Sequence, residues 1–192
     1  ARAAGIKVVA HEGPGLNNVD WDFEMASVAG FGEAHAELLA TKMGGKGEYA
    51  MFVGSLTVPL HNAWADAANA YIAAKYPDMK LIGERYGVAE SVDDSRKTAL
   101  DLMAANPNLT GFLAFGSQGP IGIGRAIEEN RMAGKVHVLG PFSPGQGREL
   151  VKAGVISGGF MWNPAEAGRV FVTMGKTLVD GTEITDGTAL TG

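Results

Sequence analysis

The 192-residue chain contains no cysteine, which excludes disulfides, thiolate nucleophiles, zinc knuckles and iron–sulfur ligation and leaves the redox compartment open. Basic charge is also scarce, because 16 Lys and Arg stand against 21 Asp and Glu, a net charge of −5. Nucleic acids and anionic membrane surfaces select basic faces. We therefore expect neither of them as a partner.

Long apolar runs are missing too. The longest, residues 49–60, is interrupted by Gly54, Ser55, Thr57 and Pro59, and it is shorter than the ~20 residues that span a bilayer. We expect no direct membrane insertion.

The chain opens without a starting Met, a charged n-region or a small-residue cleavage site, so we expect no signal peptide within residues 1–9. They are typical of a domain interior instead, with residues 1–4 as the last turn of a helix closed by Gly5 before a strand. We therefore expect an incomplete chain.

Glycine is plentiful, with 28 residues, about twice the usual ~7%. Short β-branched or aromatic runs alternate with longer amphipathic runs, as in parallel βαβ units. The pattern predicts strands at residues 6–10, 49–53, 80–86, 111–115, 136–139 and 156–161, and helices at 32–43, 60–76, 94–105, 120–132, 146–153 and 165–179. The expected fold class is α/β, a doubly wound, mostly parallel sheet with helices on both faces.

Ligands of such sheets bind beyond the carboxyl ends of the strands. The loops at these ends start at His11, Gly54, Gly116, Gly140 and Trp162. Each loop mixes small residues with one or two polar or aromatic ones, so these loops are where we expect a site.

Two motifs in the third loop come close to known chemistry. Residues 116–124 expose N–H groups that suit an anion, but they match neither the P-loop nor the dinucleotide fingerprint. Residues 115–119 approach the nucleophile elbow around Ser117, without its first glycine. Only His137 follows that serine, and no Asp lies between the two, so we do not expect a hydrolase triad.

The four histidines are never three or four residues apart, so the sequence predicts no metal site and no cofactor. His11 and His61 fall in strand-end loops and are site candidates. We expect His35 to be a solvated helix residue and His137 a strand residue.

The tryptophans differ in their expected roles. Trp162 with Asn163 offers an apolar platform beside an amide, which suits a sugar, although a Trp closing the core edge is an equal alternative. Glu12 suits an acceptor for a pair of hydroxyls, and a helix-capping or salt-bridging carboxylate is an equal alternative. We expect Trp64 in the core, and Trp21 in a connection without strand character.

Several segments resemble one family. Residues 3–9 resemble a strand leading to an acidic ligand contact, here Glu12 where Asp is usual, and residues 106–114 and 160–164 resemble segments at later pocket loops. At residues 138–143 Phe142 replaces a usual carboxylate. Over nearly its whole length the chain resembles the type 1 periplasmic solute-binding proteins of sugar ABC transporters, ribose-binding-like.

Within that family, residues 54–58 and 160–163 are similar to segments of the rhamnose and autoinducer-two binders. Leu60-His61 stands where the autoinducer pattern has Asp-Gln, and Asn163 where it has Asp, so a neutral or weakly polar sugar or polyol is expected. The resemblance implies that the ligand-binding residues are Glu12, Leu60, His61, Phe115, Ser117, Gln118, Phe142, Trp162 and Asn163. His11 is added to them because of its place in a strand-end loop.

The resemblance also implies two lobes with the ligand between them. We assign residues 1–24 to a partial N-terminal lobe, 25–162 to a complete C-terminal lobe and 163–192 to a return segment to the N-terminal lobe. About 100 residues of the N-terminal lobe would be absent at typical domain sizes.

The leading functional hypothesis is a monomeric, periplasmic, non-catalytic protein that closes on a small carbohydrate and presents it to the permease subunits of an ABC transporter. The alternative is the sugar-sensing effector domain of a LacI-type transcriptional repressor, which has the same fold. An α/β enzyme acting through Ser117 is a third hypothesis, and we expect no enzyme.

Overall fold

The computed structural model describes residues 1–188 and Leu190, and the chain divides into two compact units. Unit 1 comprises Ala1–Ser27 and Trp162–Gly192, and unit 2 comprises Val28–Met161. The boundaries fall three residues after the expected 24/25 division and one residue before the expected 162/163 division.

A short 3₁₀ turn, Arg2–Ala4, precedes the first strand and is closed by Gly5 in the left-handed conformation (φ 75°), as the sequence predicts. The remaining elements follow in chain order: β1 (Val9–Ala10), β2 (Trp21–Asp22), α1 (Val28–Met43), β3 (Gly47–Val53), α2 (Pro59–Lys75), β4 (Met79–Tyr86), α3 (Val92–Ala105), β5 (Leu109–Phe115), α4 (Gly119–Glu129), β6 (His137–Leu139), α5 (Pro144–Lys152) and α6 (Pro164–Val179).

Unit 2 is built on a four-stranded sheet with the strand order β4-β3-β5-β6, and every pairing in it is parallel. Residues 49–53 and 111–115 are buried throughout, as expected of strands whose two faces are both covered by helices. The predicted α/β class with a parallel sheet is confirmed.

The helices of unit 2 pack closely because glycines lie at their contacts. A Cβ on Gly32 of α1 would stand 2.4 Å from the Trp64 carbonyl oxygen of α2, and a Cβ on Gly122 of α4 would stand 2.3 Å from the Val92 oxygen of α3. Between the helices and the sheet lies an aromatic core, in which Phe52 and Phe112 meet edge to face at 5.8 Å.

Unit 1 has a two-stranded parallel sheet, β1 and β2, and the helix α6. Its buried core consists of Met174, Leu178 and Ile184, against which Trp21 and Phe23 are packed among other partly buried side chains. None of the helices in the described part of the chain has the length and apolar character needed to cross a membrane.

Three expectations about strands are wrong. Residues 156–161 form no strand, only one bridge between Leu139 and Gly158, because Gly158 has a φ of 141° and Gly159 packs directly on the Gly140 carbonyl. The first strand covers only Val9–Ala10 instead of residues 6–10. Trp21–Asp22 is a strand, because pairing with β1 overrides its weak local pattern.

Candidate functional site

The carboxyl ends of three strands of unit 2 lie at one edge of the sheet. Val53 pairs with Phe115, and Leu113 pairs with Leu139. Each strand is followed by a glycine, a short loop and a helix. Each of these helices has one Pro, at its first or second position. The parallel register therefore brings the loops that carry His61, Ser117 and Phe142 to the same edge.

His61 lies in the first turn of α2, folded back onto the loop that precedes it. Its Nδ1 accepts a hydrogen bond from the Gly54 N–H at 3.2 Å, and its ring stacks on Trp64 with centroids 5.4 Å apart. Burial lowers the pKa of His61. Because Nδ1 is an acceptor here, the neutral ring carries its proton on Nε2, where it can be donated to a hydroxyl.

Ser117 and Gln118 form a short polar chain in front of α4. The Gln118 amide nitrogen donates to Ser117 Oγ at 3.1 Å, and the Gln146 amide nitrogen donates to Gln118 Oε1 at 3.5 Å. Ser117 and Gln118 are half-buried. Neutral donors and acceptors of this kind suit hydroxyl groups better than charged ligands.

Phe142 is half-buried, and its ring lies on Gly147 of α5. A Cβ at Gly147 would stand 2.4 Å from the Phe142 ring, so the glycine makes the space in which the ring rests. The exposed part of the ring adds an apolar surface to the loop that follows β6.

Leu60 and Phe115, two of the expected ligand contacts, are fully buried. Phe115 packs against Trp64 and His35, with ring centroids 6.1 and 5.6 Å away. In this arrangement neither side chain presents a surface to a ligand, and both serve packing. Trp64 itself is 3% exposed, which confirms its expected place in the core.

In unit 1, His11 follows β1 and lies among aromatic rings. Its Nδ1 donates to the Phe23 carbonyl at 3.0 Å, and its ring meets Trp162 edge to face at 5.7 Å and Phe171 at 5.0 Å. Trp162 is half-buried. Asn163 is the N-cap of α6, with its Oδ1 accepting from the Ala165 N–H at 3.0 Å, so one of its two amide functions is already used.

Carboxylates surround His11. Glu12, whose φ of 59° is unusual for a residue other than glycine, has Oε1 3.9 Å from His11 Nε2, and Glu24 Oε2 is 3.8 Å from His11 Nδ1. Burial raises the pKa of Glu24, the charge of Asp22 adds to this rise and His11 opposes it. One buried oxygen of Asp22 and one of Glu24 have no hydrogen-bond partner among the described residues.

Asp22 and Glu24 were not among the residues predicted from the sequence. The alternation Trp21-Asp22-Phe23-Glu24 has the period of two that marks a half-buried strand, and it was the signal available for both carboxylates.

The other two histidines differ from each other. His35 is fully buried on α1, so the expectation that it is solvated is wrong: the rings of Phe31, Phe115 and Phe160 cover it. His137 lies on β6, as predicted, and its Nδ1 is 3.0 Å from Ser157 Oγ. Within the described residues, no three His, Cys, Asp or Glu side chains are arranged to hold a metal ion.

Comparison with known proteins decides the family. The model of the periplasmic binding protein domain matches residues 1–183. The chain belongs to the periplasmic binding protein domain family.

Solved structures of sugar-binding proteins share this fold. A carbohydrate transporter solute-binding protein from Agrobacterium radiobacter, in complex with D-arabinose, has a TM-score of 0.87 at 20% identity, with 95% of this chain and 63% of that chain covered. An ABC transporter solute-binding protein from Clostridium phytofermentans with bound L-rhamnose has a TM-score of 0.85 at 23% identity, with 94% and 58% covered. One from Agrobacterium vitis with bound D-fucose has a TM-score of 0.85 at 22% identity, with 95% and 63% covered.

These identities are low, so the structures show that this periplasmic binding protein domain shares their fold. The chain spans about three fifths of the length of these proteins.

Proposed function

We propose that the protein binds a small neutral sugar or polyol in a cleft between two lobes and delivers it to the permease of an ABC transporter in the periplasm. The observation that carries the proposal is the match of the periplasmic binding protein domain over residues 1–183. Solved relatives hold D-arabinose, L-rhamnose and D-fucose, which are all small neutral sugars.

The side chains at the loops support a hydroxyl-rich ligand. In unit 2, His61 offers a ring N–H, and Ser117 and Gln118 offer a hydroxyl and an amide. In unit 1, Glu12 offers carboxylate oxygens. A sugar needs such partners once water is excluded, because its unpaired hydroxyls would lose their hydrogen bonds to water.

Aromatic rings would take the apolar side of the same ligand. Trp162 is half-buried in unit 1 and Phe142 is half-buried in unit 2. The C–H face of a pyranose or furanose lies well on such rings. The proposed contacts include no Lys or Arg, which favours a neutral sugar over a sugar phosphate or sugar acid.

The hydrogen bond of Ser117 favours binding without turnover over catalysis. The hydrogen bond of its Oγ comes from the Gln118 amide, which is not a base. His137 is engaged with Ser157 instead. Among the described residues no base is hydrogen-bonded to Ser117 Oγ, and without a base the serine lacks the activation that nucleophilic catalysis requires. We propose a monomer that performs no chemistry on its ligand.

The test is calorimetric titration of neutral pentoses and deoxyhexoses into wild type and two variants. Trp162→Ala should weaken binding by about 2–4 kcal/mol, as loss of an aromatic anchor does, and Glu12→Gln by about 1.5–3 kcal/mol, as weakening of a charge-assisted hydrogen bond does.

Leu16→Ala, a change at an exposed side chain of unit 1, is the control and should leave affinity unchanged. Melting curves of each variant accompany the titrations. Undiminished affinity of Trp162→Ala would remove that loop from the site, and unfolding of the variant would place Trp162 in the core instead.

A further inference from the structure

His35 joins two parts of unit 2 that are far apart in sequence. It lies on α1 with no exposed surface. Its Nδ1 is 2.8 Å from the carbonyl oxygen of Phe31, one helical turn earlier, and its Nε2 is 3.0 Å from the backbone nitrogen of Phe160, 125 residues later. Both ring nitrogens are therefore engaged.

The partners determine the protonation of the ring. A carbonyl oxygen only accepts, so Nδ1 must carry a proton and donate it to Phe31. A backbone N–H only donates, so Nε2 must be unprotonated to accept from Phe160. His35 is thus held as the neutral Nδ1–H tautomer, and a second proton would set an N–H against the N–H of Phe160.

The surroundings of His35 favour the same neutral form. The rings of Phe31, Phe115 and Phe160 contact it with centroids 4.5, 5.6 and 5.2 Å away. No acidic or basic side chain of the described residues comes within ion-pair distance of it. Burial lowers the pKa of His35 to about 4.

The segment that His35 holds, residues 158–161, forms no strand. Its start is tied to the end of β6 by the bridge between Gly158 and Leu139, by a hydrogen bond from the Gly140 N–H to the Gly158 carbonyl at 3.4 Å and by the packing of Gly159 on the Gly140 carbonyl. Phe160 and Met161 are 47% and 41% exposed. Directly after Met161 the chain leaves unit 2. The Phe160 N–H therefore finds in His35 the acceptor that a neighbouring strand would have supplied.

We propose that His35 is a positioning residue that anchors the segment through which the chain leaves unit 2 after Met161. The anchoring role stands on the contacts of His35. Its consequence for ligand binding rests on the proposed function, in which Trp162, the next residue, contacts the sugar.

Two substitutions of His35 separate the role of its hydrogen bond with Phe160 from the role of its side-chain packing. In His35→Gln the longer side chain can place Oε1 near the position of Nε2 and accept from Phe160. In His35→Asn the amide stays near Nδ1 and reaches only Phe31. His137→Asn, which changes a histidine bonded to Ser157 just before the same segment, is the control.

The decisive measurement is hydrogen exchange of the Phe160 amide in the sugar-free protein. We expect its protection to fall about tenfold in His35→Asn and to stay near the wild-type value in His35→Gln and His137→Asn, because only the first loses the acceptor. Equal protection in all four proteins would overturn the proposal. So would an equal loss in both His35 variants with unchanged melting temperatures.

The pH dependence of the Phe160 amide protection gives a second test, because a purely packing role of His35 would not produce it. Protonation of Nε2 removes the acceptor, so the protection of Phe160 in wild type should drop as the pH falls through about 4, the pKa of His35. His35→Gln should show no such step. A step of equal size in the Gln variant would contradict the assignment of the titrating group.

Sugar titration then separates this proposal from the proposed function. If wild type binds a sugar, His35→Asn should bind it several-fold more weakly than His35→Gln; equal affinities would overturn the link from His35 to ligand binding. If wild type binds none, the proposed function fails, and the exchange of Phe160 still decides whether His35 anchors the segment.

Discussion

The two units differ in how they use buried space. Unit 2 buries most of its two central strands, β3 and β5, and aromatic rings such as Phe52 and Phe112 under helices on both faces of its sheet. Within the described residues, unit 1 buries four apolar side chains, Ala167, Met174 and Leu178 on α6 and Ile184 after it, and it keeps the half-buried carboxylates of Glu12 and Glu24 beside His11. Unit 2 thus has a continuous apolar core, whereas the described part of unit 1 has a small apolar cluster and, near it, partly buried polar groups.

The largest expected effect is the loss of stability on truncating a core side chain, and it should be greater in unit 2 than in unit 1. Phe112→Ala removes a ring that has no exposed surface and should cost about 3–5 kcal/mol of unfolding free energy. Leu178→Ala in unit 1, at 8% exposure, should cost about 2 kcal/mol because a small core can close around the gap. Urea denaturation followed by fluorescence measures both losses, and an equal or larger loss for Leu178→Ala would contradict the proposed difference between the two cores.

The second effect is the pH dependence that His35 gives to unit 2. Its pKa is about 4 in the folded protein against 6.5 for the free side chain. As the pH falls below 6.5 the unfolded chain takes up the proton first, so about 3 kcal/mol of stability is lost between pH 6.5 and 4, and none is lost below.

Denaturation of wild type and His35→Gln at pH 7, 5.5 and 4 measures this loss. The variant should lack this share of the pH dependence. Parallel curves for the two proteins would mean that His35 titrates normally.

Glycines on helices should respond in opposite directions in the two units. Gly32→Ala on α1 drives a methyl group into the backbone of Trp64 and should cost about 1–3 kcal/mol. Gly175→Ala on α6, where an added Cβ meets nothing within 4 Å, should gain about 0.5–1 kcal/mol from helix propensity. Melting temperatures suffice, and a destabilising Gly175→Ala would show that this face of α6 is covered.

The smallest effect concerns Glu24 and has the opposite sign to that of His35. Its raised pKa means that the folded protein takes up this proton before the unfolded chain does, so its contribution to stability improves as the pH falls. Glu24→Gln should therefore stabilise the protein slightly at pH 7, by at most about 0.5 kcal/mol, and not at pH 4. Calorimetric scans at both values check it, and a loss of stability at pH 7 would show that the contact with His11 outweighs burial.

The sequence alone predicted unit 2 well because its pattern is local. The apolar runs of its strands can be recognised directly in the sequence. So can Gly44 and Pro77, which end the helices α1 and α2. The failures share a different cause: His35, Trp21 and Gly158 take their environment from partners far along the chain. No local pattern shows that the Phe160 N–H donates a hydrogen bond to a side chain on α1. Nor does one show that β1 pairs with the two-residue strand β2.

The candidate site divides in the same way. The strand-end loops predicted which side chains gather at the carboxyl edge of the sheet in unit 2, with His61, Ser117 and Phe142 among them. They could not predict that Leu60 and Phe115 are buried behind it, because the loop order carries no information on which way a side chain points. The carboxylates of Asp22 and Glu24 are placed by the pairing of β1 with β2 and were missed for that reason.

The proposed binding of a neutral sugar can be measured by titrating the purified protein with D-arabinose, L-rhamnose, D-fucose and their phosphorylated or acidic counterparts. We expect saturable one-to-one binding of at least one neutral sugar, and weaker binding of every charged counterpart. A folded protein that binds none of the neutral sugars, or that prefers a sugar phosphate, would contradict it.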